Sequence, residues 1–359
     1  MRNHTYIIAE AGVNHNGSLK LAKQLVDVAK ESGADAVKFQ TYKTENLVTK
    51  TAEQAAYQVN NMGEATSQYD MLKSLELSYE VFNELKCYCE TKELEFLSTP
   101  FDFESVDFLL DDLNMSTVKI PSGELTNSPF IHYIATKRKR IIISTGMATM
   151  DDIHEALAFL AFGLAFPEQI IELDEVTRFY STNEAKIYLE RYVTVLHCTT
   201  EYPAPYETIN LDAINKMKNA LQLSIGFSDH SVGIAVPIAA ATLGAAVIEK
   251  HFTLDRALPG PDHIASLEPQ ELAEMVSGIR AVEKSLGSGL KIPTKIELEN
   301  RNVARKSIVA KVPIAAGEII SKAHLSIKRP GNGMSPNTYW TLIGKKASKD
   351  YVEDELLDE

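Results

Sequence analysis

Two histidines close neighbouring apolar runs of the sequence, and their spacing is compatible with a metal site. His230 and His251 lie 21 positions apart, and carboxylates adjoin them at Asp229 and Glu249. If consecutive strands of one barrel bring both imidazoles to the same rim, they can bind a dication such as Mn²⁺, Mg²⁺ or Zn²⁺ and leave positions open for a substrate oxygen. A structural zinc site is not expected, because no third and fourth ligand follow at Cys/His spacing.

Lysines and hydroxyl residues stand at the ends of other apolar runs. Ammonium groups supply charge and hydroxyls supply directional donors, so a convergent set of them predicts a cradle for a phosphate or a carboxylate. Any one of these residues alone is better explained as a strand-capping hydroxyl or a solvated lysine, but the agreement among several strand ends favours the cradle. The candidates are Lys38, Thr99, Lys119, Ser122, Ser144 and Ser228.

Two carboxylates are candidates for acid–base or hydroxyl-binding roles. Glu10 interrupts an apolar run rather than lying on a helix face, which favours a general base or acid beside a cationic centre over a surface ion pair. Asp262 belongs to the rigid turn at 259–263 (PGPDH), just after the last apolar run. There its carboxylate can bind a substrate hydroxyl or a metal-bound water, and a plain loop corner is the alternative.

These side chains need a scaffold that brings strand ends together. Short apolar, β-branched runs alternate with amphipathic helical stretches, as in parallel strands joined by crossover helices. Eight such runs predict an α/β fold, a TIM (β/α)8 barrel, whose chemistry lies at the carboxyl ends of its strands. A doubly wound open sheet is the alternative, but the G-x-G-x-x-G turn for a dinucleotide is missing. The predicted strands are 6–11, 36–41, 94–99, 117–122, 140–145, 192–199, 221–228 and 245–251.

The connections between these runs have helical patterns. Predicted helices include 18–32, 79–91, 103–112 and 237–241, and 269–286 follows the last run. The interval 150–191 is long for a single crossover. We therefore expect an extra helix in this interval, with 168–180 forming an excursion on the surface.

The composition changes after Leu286. Gly287-Ser288-Gly289 opens a linker, 291–299 is charged and poor in aromatic residues, and short β-rich runs with glycine turns follow from Arg305. The sequence therefore predicts a catalytic domain at 1–286, a linker at 287–303 and a small compact domain at 304–359.

Bulk composition argues against some partners. The formal net charge of -13 disfavours nucleic acid and anionic membranes, whose binding depends on lysine and arginine. A small anionic substrate stays compatible, because salt screens distant charges more than local cations in a cleft. The apolar runs are shorter than the ~20 residues of a membrane span, and Cys87, Cys89 and Cys198 are expected as unbridged structural or surface thiols. A cytoplasmic location is expected.

Several ordered motifs resemble those of the bacterial sialic acid synthases. The resemblance runs from Ile7 to about Leu357, and it implies a TIM barrel followed by a small antifreeze-like (SAF, β-clip) domain, assembled as a domain-swapped homodimer. The motifs that carry it are 7–17 (IIAEAGVNHNG), 36–40 (AVKFQ), 98–102 (STPFD), 119–124 (KIPSGE), 144–147 (STGM), 249–252 (EKHF) and 328–333 (KRPGNG).

The resemblance also implies a reaction and a set of roles. N-acetylneuraminate synthase, a transferase, condenses phosphoenolpyruvate with the open-chain aldehyde of N-acetylmannosamine, releases phosphate and yields a nine-carbon 2-keto sugar acid. The resemblance implies that His230 and His251 bind a divalent metal, Mn²⁺ with Mg²⁺ or Co²⁺ as alternatives. It implies that Glu10 and Asp262 are the catalytic carboxylates. The residues implied to bind phosphoenolpyruvate are Lys38, Thr99, Lys119, Ser122, Ser144 and Ser228. The residues implied to bind the acceptor sugar are Gln40, Tyr202 and Asp262, together with Arg329 of the partner subunit.

Three alternatives stay open. The segment 197–203 (HCTTEYP) lacks the asparagine of some sialic acid synthases and resembles N,N'-diacetyllegionaminate synthases, whose acceptor is a 2,4-diacetamido-2,4,6-trideoxymannose. A Schiff-base aldolase or lyase using Lys38 or Lys119 would share the barrel, but it leaves the two histidines unexplained. A non-catalytic sugar-binding protein would leave the polar strand ends without a role.

Overall fold

The computed structural model describes residues 4–55, 58–59 and 67–358 and separates two compact units, Met1–Leu286 and Gly287–Glu359. Eight parallel strands form the centre of the first unit. They are β1 (Tyr6–Gly12), β2 (Ala36–Thr41), β3 (Glu95–Pro100), β4 (Thr117–Ile120), β5 (Arg140–Ser144), β6 (Val193–Cys198), β7 (Ser224–Asp229) and β8 (Val247–His251).

The strands curl into a nearly closed barrel. Their order in the sheet is β3-β2-β1-β8-β7-β6-β5-β4, and β3 and β4, at the two ends of that order, are in contact. Runs such as Ile141–Ile143 are buried almost completely, as expected for parallel strands that are covered on both faces. The predicted TIM barrel is therefore confirmed.

Helices surround the barrel between consecutive strands. No described helix has both the length and the apolar character required to cross a bilayer. The helices of the first unit that lie wholly within the described residues are α1 (Leu19–Glu31), α2 (Thr44–Leu47), α3 (Gln68–Leu75), α4 (Tyr79–Thr91), α5 (Phe103–Asp107, continued by a π-helical turn at Phe108–Asp112), α6 (Ser128–Thr136), α7 (Met150–Ala165), α8 (Leu173–Tyr180), α9 (Asn183–Tyr192), α10 (Tyr206–Ile209), α11 (Asp212–Leu221), α12 (Ala235–Thr242) and α13 (Pro269–Ser285), with 3₁₀ turns at Ser122–Glu124 and His263–Ala265.

The long connection after β5 differs from its prediction. It holds three helices, α7, α8 and α9, rather than a crossover helix with one addition. The expected surface excursion is confirmed at 168–174, where the side chains are exposed, and Val176 anchors α8 by being buried. A capping box between Thr149 and Asp152 starts α7 by satisfying two of the backbone N–H groups at the helix end.

The predicted start of the seventh strand is wrong. Leu221 ends helix α11, and the strand begins at Ser224. The physical reason is periodicity: Ile214, Met217 and Leu221 continue one apolar stripe at helical spacing, so Leu221 packs with the helix rather than with the strand.

The second unit has its own small core. Ile308, Ile314, Leu325 and Tyr351 are among its buried residues. Strands β9 (Ser307–Ala310) and β10 (Leu325–Lys328) pair antiparallel, and helix α14 (Lys295–Ala304) lies in the segment predicted as a linker, to which the sequence pattern had assigned no helix. Its remaining elements are 3₁₀ turns at Lys322–His324 and Pro336–Thr338 and helix α15 (Tyr339–Leu342).

Candidate active site

Strand register places charged side chains of neighbouring strands side by side inside the barrel. Glu10 of β1 pairs in register with Lys38 of β2 and with His251 of β8. Side chains alternate along a strand, so Glu249 shares the inward face with His251 while Lys250 points the other way. Because residues of adjacent strands at the same level lie close together, an acid, a base and an imidazole meet at the carboxyl end of the barrel.

A bulge in β1 helps to aim these groups. Its register with β2 shifts between Glu10 and Gly12, and Gly12 has a φ of +53°, a conformation that favours glycine. A Cβ at Gly12 would lie within 3.5 Å of Glu10, Gln40 and His251. Three of the predicted residues therefore converge on one point.

Four charged residues form the base of the site: Glu10, Lys38, Lys119 and Glu249, named here the ionic floor. Their side chains are at most 5% exposed. Lys38 Nζ lies 2.8 Å from Glu10 Oε2 and donates to Thr99 Oγ1 at 2.9 Å. Glu249 is the shared partner, since its Oε1 accepts from Lys119 Nζ at 3.1 Å and from Ser228 Oγ at 2.9 Å, and its Oε2 lies 3.7 Å from Lys38 Nζ.

The two carboxylates of the ionic floor differ in proton affinity. Burial, together with the nearby charge of Glu249, raises the pKa of Glu10 to about 7 against the opposing effect of Lys38. Burial acts on Glu249 as well, but Lys119 and Lys38 outweigh it and hold the pKa of Glu249 at about 2. Glu249 is therefore a permanent anion, whereas Glu10 can gain or lose a proton near neutral pH.

Two serines beside the ionic floor have hydroxyls available to a ligand. Ser122 Oγ accepts from the backbone N–H of Gly146 at 2.9 Å and donates its own proton to Cys198 Sγ at 3.8 Å, a weak acceptor that an anionic ligand can replace. Gly146 permits this approach, because a Cβ there would lie 2.9 Å from Ser122 Oγ and 2.0 Å from Thr200 Oγ1. Ser144 Oγ is buried and makes no hydrogen bond within the described residues, and an unpaired buried hydroxyl is costly unless a ligand satisfies it.

The two histidines lie together at the rim of the barrel. Their ring centroids are 5.5 Å apart, and the ring of Tyr202 lies 4.1 Å from that of His230. His230 Nδ1 lies 2.5 Å from the carbonyl oxygen of Thr199, so Nδ1 carries a proton, and Nε2 has a lone pair when the ring is neutral. Burial lowers the pKa of His230, but Cys198 and the Thr199 carbonyl outweigh it and raise that pKa, so a metal at Nε2 would replace a proton. His251 Nδ1 is buried without a hydrogen-bond partner in the described part of the chain, 3.9 Å from Asp262 Oδ2.

This donor set fits a divalent metal. A histidine that ligates a metal usually donates its other ring N–H to a carbonyl or carboxylate, which is the arrangement of His230 and Thr199. Burial and the neighbouring His230 lower the pKa of His251 well below its ordinary value, so this imidazole is neutral and able to ligate. No set of three or more His, Cys, Asp or Glu side chains is placed to hold a metal within the described ranges.

The predicted barrel residues all reach one cavity of about 290 Å³. Burial raises the pKa of one of them, Asp262, to about 6, although the charge of His230 opposes this effect. Arg329 belongs to the second unit, where its Nε donates to the carbonyl of Ala304 at 3.1 Å. The predicted residues that line the cavity are Glu10, Lys38, Gln40, Thr99, Lys119, Ser122, Ser144, Tyr202, Ser228, His230, His251 and Asp262.

One expected neighbour of the metal site is elsewhere. Asp229 was expected beside the histidines, but its carboxylate pairs with Lys250 Nζ at 2.7 Å on the outer side of the strands. The alternation of side chains along β7 explains this, because Ser228 and His230 face inward and Asp229 between them must face outward.

Sequence reasoning missed two features of the cavity. Glu249 was treated as a flanking carboxylate, although its position two residues before His251 signalled the same inward face. The buried thiol of Cys198 also lines the cavity, with Sγ 3.8 Å from His230 Nδ1 and 3.8 Å from Ser122 Oγ. The three cysteines are free, as expected.

Comparisons with known proteins agree with this geometry. A model of the NeuB family matches residues 25–291, and a model of the SAF domain matches residues 305–359. The chain belongs to the NeuB family. The resemblance stated from the sequence motifs, and the SAF domain that it implied, are thereby confirmed.

Full-length relatives place this NeuB-family chain more closely. It is 48% identical over 355 residues to the N,N'-diacetyllegionaminic acid synthase of Campylobacter jejuni, covering 99% of each chain. It is 46% identical to the protein of the same name from Legionella pneumophila, covering 96% of this chain and 90% of that one. The solved structure of N-acetylneuraminic acid (sialic acid) synthetase from Leptospira borgpetersenii matches with a TM-score of 0.66 at 31% identity, over 83% of this chain and 90% of that one. This NeuB-family protein is therefore an enzyme of the synthase type.

Proposed function

We propose that the protein is an N,N'-diacetyllegionaminate synthase, which condenses phosphoenolpyruvate with 2,4-diacetamido-2,4,6-trideoxymannose and releases phosphate. The observation that carries this proposal is the likeness, over nearly the whole chain, to two synthases of that name at 48% and 46% identity. The sequence motifs alone favoured N-acetylmannosamine as the acceptor, with the diacetamido sugar as the alternative. The full-length relatives reverse that preference.

The ionic floor suits the binding of phosphoenolpyruvate. Lys38 and Lys119 supply ammonium groups, and the hydroxyls of Ser122, Ser144 and Ser228 line the same cavity. A planar carboxylate and a phosphate held by these donors have one orientation relative to the acceptor, which turns a two-substrate collision into an oriented encounter. Glu249 keeps both ammonium groups in place before the substrate arrives.

The histidine pair suits the aldehyde end of the acceptor. A divalent metal held by His230 and His251 would supply Lewis-acid polarisation of an aldehyde. Tyr202 packs against the ring of His230 and so fixes the imidazole. The carboxylate of Asp262, at the same rim, is placed to accept a hydrogen bond from an acceptor hydroxyl.

Glu10 is the acid–base group of the proposed reaction. The electrons of the C2=C3 double bond of phosphoenolpyruvate form the new bond from C3 to the aldehyde carbon, and the aldehyde C=O becomes a single bond. Positive charge develops at C2, and the aldehyde oxygen takes a proton from protonated Glu10 and becomes a hydroxyl. Water adds at C2, and Glu10 accepts its proton, for which a pKa of about 7 is well matched. The tetrahedral intermediate then collapses: the C2 hydroxyl becomes the ketone, the C–O bond to the phosphate breaks, and the hydroxyl proton leaves with the phosphate.

Several finer parts of the sequence prediction belong to this proposal as well. They are Mn²⁺ as the metal, with Mg²⁺ or Co²⁺ as alternatives, the domain-swapped homodimer, the acetamido contact from Arg329 of the partner subunit, the cytoplasmic location and the boundaries 1–286, 287–303 and 304–359. Light scattering of the purified protein tests the dimer. An unchanged acceptor KM in Arg329→Ala would remove this arginine from the site.

The decisive experiment compares two acceptors. Phosphate release from phosphoenolpyruvate is measured with 2,4-diacetamido-2,4,6-trideoxymannose and with N-acetylmannosamine, with Mn²⁺ and after exhaustive chelation. We expect the higher kcat/KM with the diacetamido sugar and no release after chelation. A higher kcat/KM with N-acetylmannosamine would overturn the choice of acceptor. Phosphoenolpyruvate carrying ¹⁸O in the bridging position should deliver the label to phosphate, and label left in the sugar acid would contradict C–O cleavage.

A Schiff-base aldolase is the second candidate, because burial lowers the pKa of Lys119 and so favours a neutral amine. Glu249 opposes this effect from 3.1 Å, and at Lys38 two carboxylates raise the pKa despite burial. Borohydride treatment in the presence of pyruvate discriminates the two reactions by mass spectrometry. A stable covalent adduct on either lysine would support the aldolase, and an unmodified chain supports the synthase.

A further inference from the structure

A second hydrophobic cluster, separate from the core of the barrel, adjoins the active-site cavity. Its buried members include Val13, Met71 and Leu75, and Leu47, Leu72 and Phe101 pack against them. All six line the cavity. We name Leu47, Met71, Leu72 and Leu75, which helices α2 and α3 contribute, the apolar wall.

The cavity therefore has two chemically different parts. Its base is the ionic floor, which suits anionic groups, whereas the four side chains of the apolar wall offer hydrocarbon and no hydrogen-bond donor. The amides of Gln58 and Gln68 line the same cavity. Phosphoenolpyruvate, a small polyanion, has no group that matches the wall. In the proposed reaction the wall is therefore left for the acceptor, and the histidine pair is left for the reacting aldehyde at the other end of that sugar.

The two candidate acceptors differ at that end. N-acetylmannosamine carries hydroxyls at C4 and C6, whereas the diacetamido sugar carries an acetamido group at C4 and a methyl at C6. A hydroxyl buried against hydrocarbon loses its hydrogen bonds to water, while a methyl in the same place gains from leaving water. The chemistry of the wall matches the methyl.

We propose that the apolar wall receives the C6 methyl of the acceptor and sets the preference for a 6-deoxy sugar, with Leu47 and Leu72 as the residues that determine specificity. This inference rests on the proposed function, because it assumes that the cavity binds an acyl hexosamine. Leu47 and Leu72 are the half-buried members of the wall, whereas Met71 and Leu75 lie beneath them.

Polar contacts hold the wall in position without using the side chains of Leu47 and Leu72. Tyr42 Oη donates to the backbone oxygen of Leu72 at 3.1 Å. The carboxylate of Glu76 accepts from the backbone N–H and from the hydroxyl of Thr44, at 2.9 Å and 2.7 Å, which fixes the start of α2 against the end of α3. A substitution of either leucine side chain leaves these contacts in place, so the wall is preorganised.

The test uses a pair of acceptors that differ only at C6: N-acetylmannosamine and its 6-deoxy analogue. For the wild-type enzyme we expect kcat/KM to be higher for the 6-deoxy sugar by about tenfold or more, the usual scale for one small group in an apolar pocket. Leu72→Asn and Leu47→Asn should each remove most of that ratio. The KM for phosphoenolpyruvate should stay unchanged, because the ionic floor is untouched.

Leu173→Asn is the matched control, since Leu173 is 69% exposed on α8 and outside this cavity. It should keep the wild-type ratio, and a loss of the ratio there would contradict the assignment to the wall. Near-ultraviolet circular dichroism checks the fold of each variant. Because two leucine positions are tested separately, the test still works if one of the two variants fails to fold.

The outcomes separate the two proposals. A wild-type enzyme that releases no phosphate with any acyl hexosamine would overturn the proposed function. A wild-type enzyme with the expected ratio, in which both asparagine variants keep that ratio, would overturn the role of the wall alone. An equal kcat/KM of the wild type for the two sugars would overturn it as well.

Discussion

Two buried clusters of charge, built from adjacent residues of the same two strands, behave differently. Ser228 and Glu249 face into the barrel and belong with the ionic floor, whereas Asp229 and Lys250 face outward. In the outer pair, Lys250 Nζ donates to Asp229 Oδ2 at 2.7 Å and to the carbonyl of Ser231, and Asp229 Oδ1 accepts from the backbone N–H of Ser231 at 2.9 Å. Both charged side chains of this pair are fully buried and fully paired.

The inner cluster is equally buried but incompletely paired. Glu249 Oε2, Ser144 Oγ and His251 Nδ1 make no hydrogen bond in the part of the chain that the structure describes. A buried polar group without a partner costs about 1–3 kcal/mol, and at these three positions, which line the cavity, a ligand can supply the missing hydrogen bond. We propose that the outer pair serves stability and that the inner cluster serves binding and catalysis.

Loss of the outer lysine should have the largest effect, and it should be an effect on stability. Lys250→Met leaves the carboxylate of Asp229 buried without its counter-charge, which costs about 3–5 kcal/mol. We expect urea denaturation to show that loss in the free energy of unfolding, while kcat per folded molecule stays close to that of the wild type. A large fall in kcat at unchanged stability would contradict the division between the clusters.

The same substitution on the inner side should affect the reaction instead. Lys38→Met removes an ammonium group from the ionic floor, and kcat should fall by about 10²–10³-fold. Stability should change little, because Glu10, whose pKa is already raised to about 7, takes up a proton when its counter-charge is lost. Phosphate release and urea denaturation measure the two quantities. If Lys38→Met lost as much stability as Lys250→Met and kept its kcat, the proposed difference between the inner and outer clusters would be contradicted.

Metal binding tests the unpaired histidine. A dication that binds only the folded state stabilises it by about 2.7 kcal/mol at a hundredfold excess over Kd. We expect Mn²⁺ to raise Tm in the wild type and EDTA to reverse the rise, and His251→Gln to abolish it. His154→Gln is the control, since His154 hydrogen-bonds Tyr180 Oη at 2.6 Å away from the cavity. An equal rise in Tm in His251→Gln would remove this residue from the metal site.

The sequence predicts much of this arrangement for identifiable reasons. Parallel strands of a barrel are buried on both faces, so they appear as apolar runs, and polar residues at their ends stand out. Lys38, Thr99 and Ser228 were found in that way. Asp229 was misplaced because the alternation of side chains along β7 was not applied, although the two-residue period was visible in the sequence.

Other features depend on tertiary contacts that no local pattern encodes. The apolar wall uses α3, and an amphipathic helix over the barrel mouth has the same periodicity as one packed on the outside of the barrel. The hydroxyl of Ser122 is oriented by the backbone N–H of Gly146, a contact between two loops that spacing alone does not reveal. In the proposed function, substrate selection depends on the apolar wall and on the orientation of the Ser122 hydroxyl.

Two buried serines provide the finest test of the comparison. Ser144 Oγ and Ser231 Oγ both lack a hydrogen-bond partner within the described residues, but Ser144 lines the cavity and Ser231 does not. Ser144→Ala should raise the KM for phosphoenolpyruvate by about tenfold, because a hydrogen bond to a charged group contributes about 1.5–3 kcal/mol. Ser231→Ala should leave KM unchanged. Neither variant should lose stability, since neither hydroxyl has a partner to lose, and an equal rise of KM in both would show that an unpaired buried hydroxyl does not mark a ligand contact.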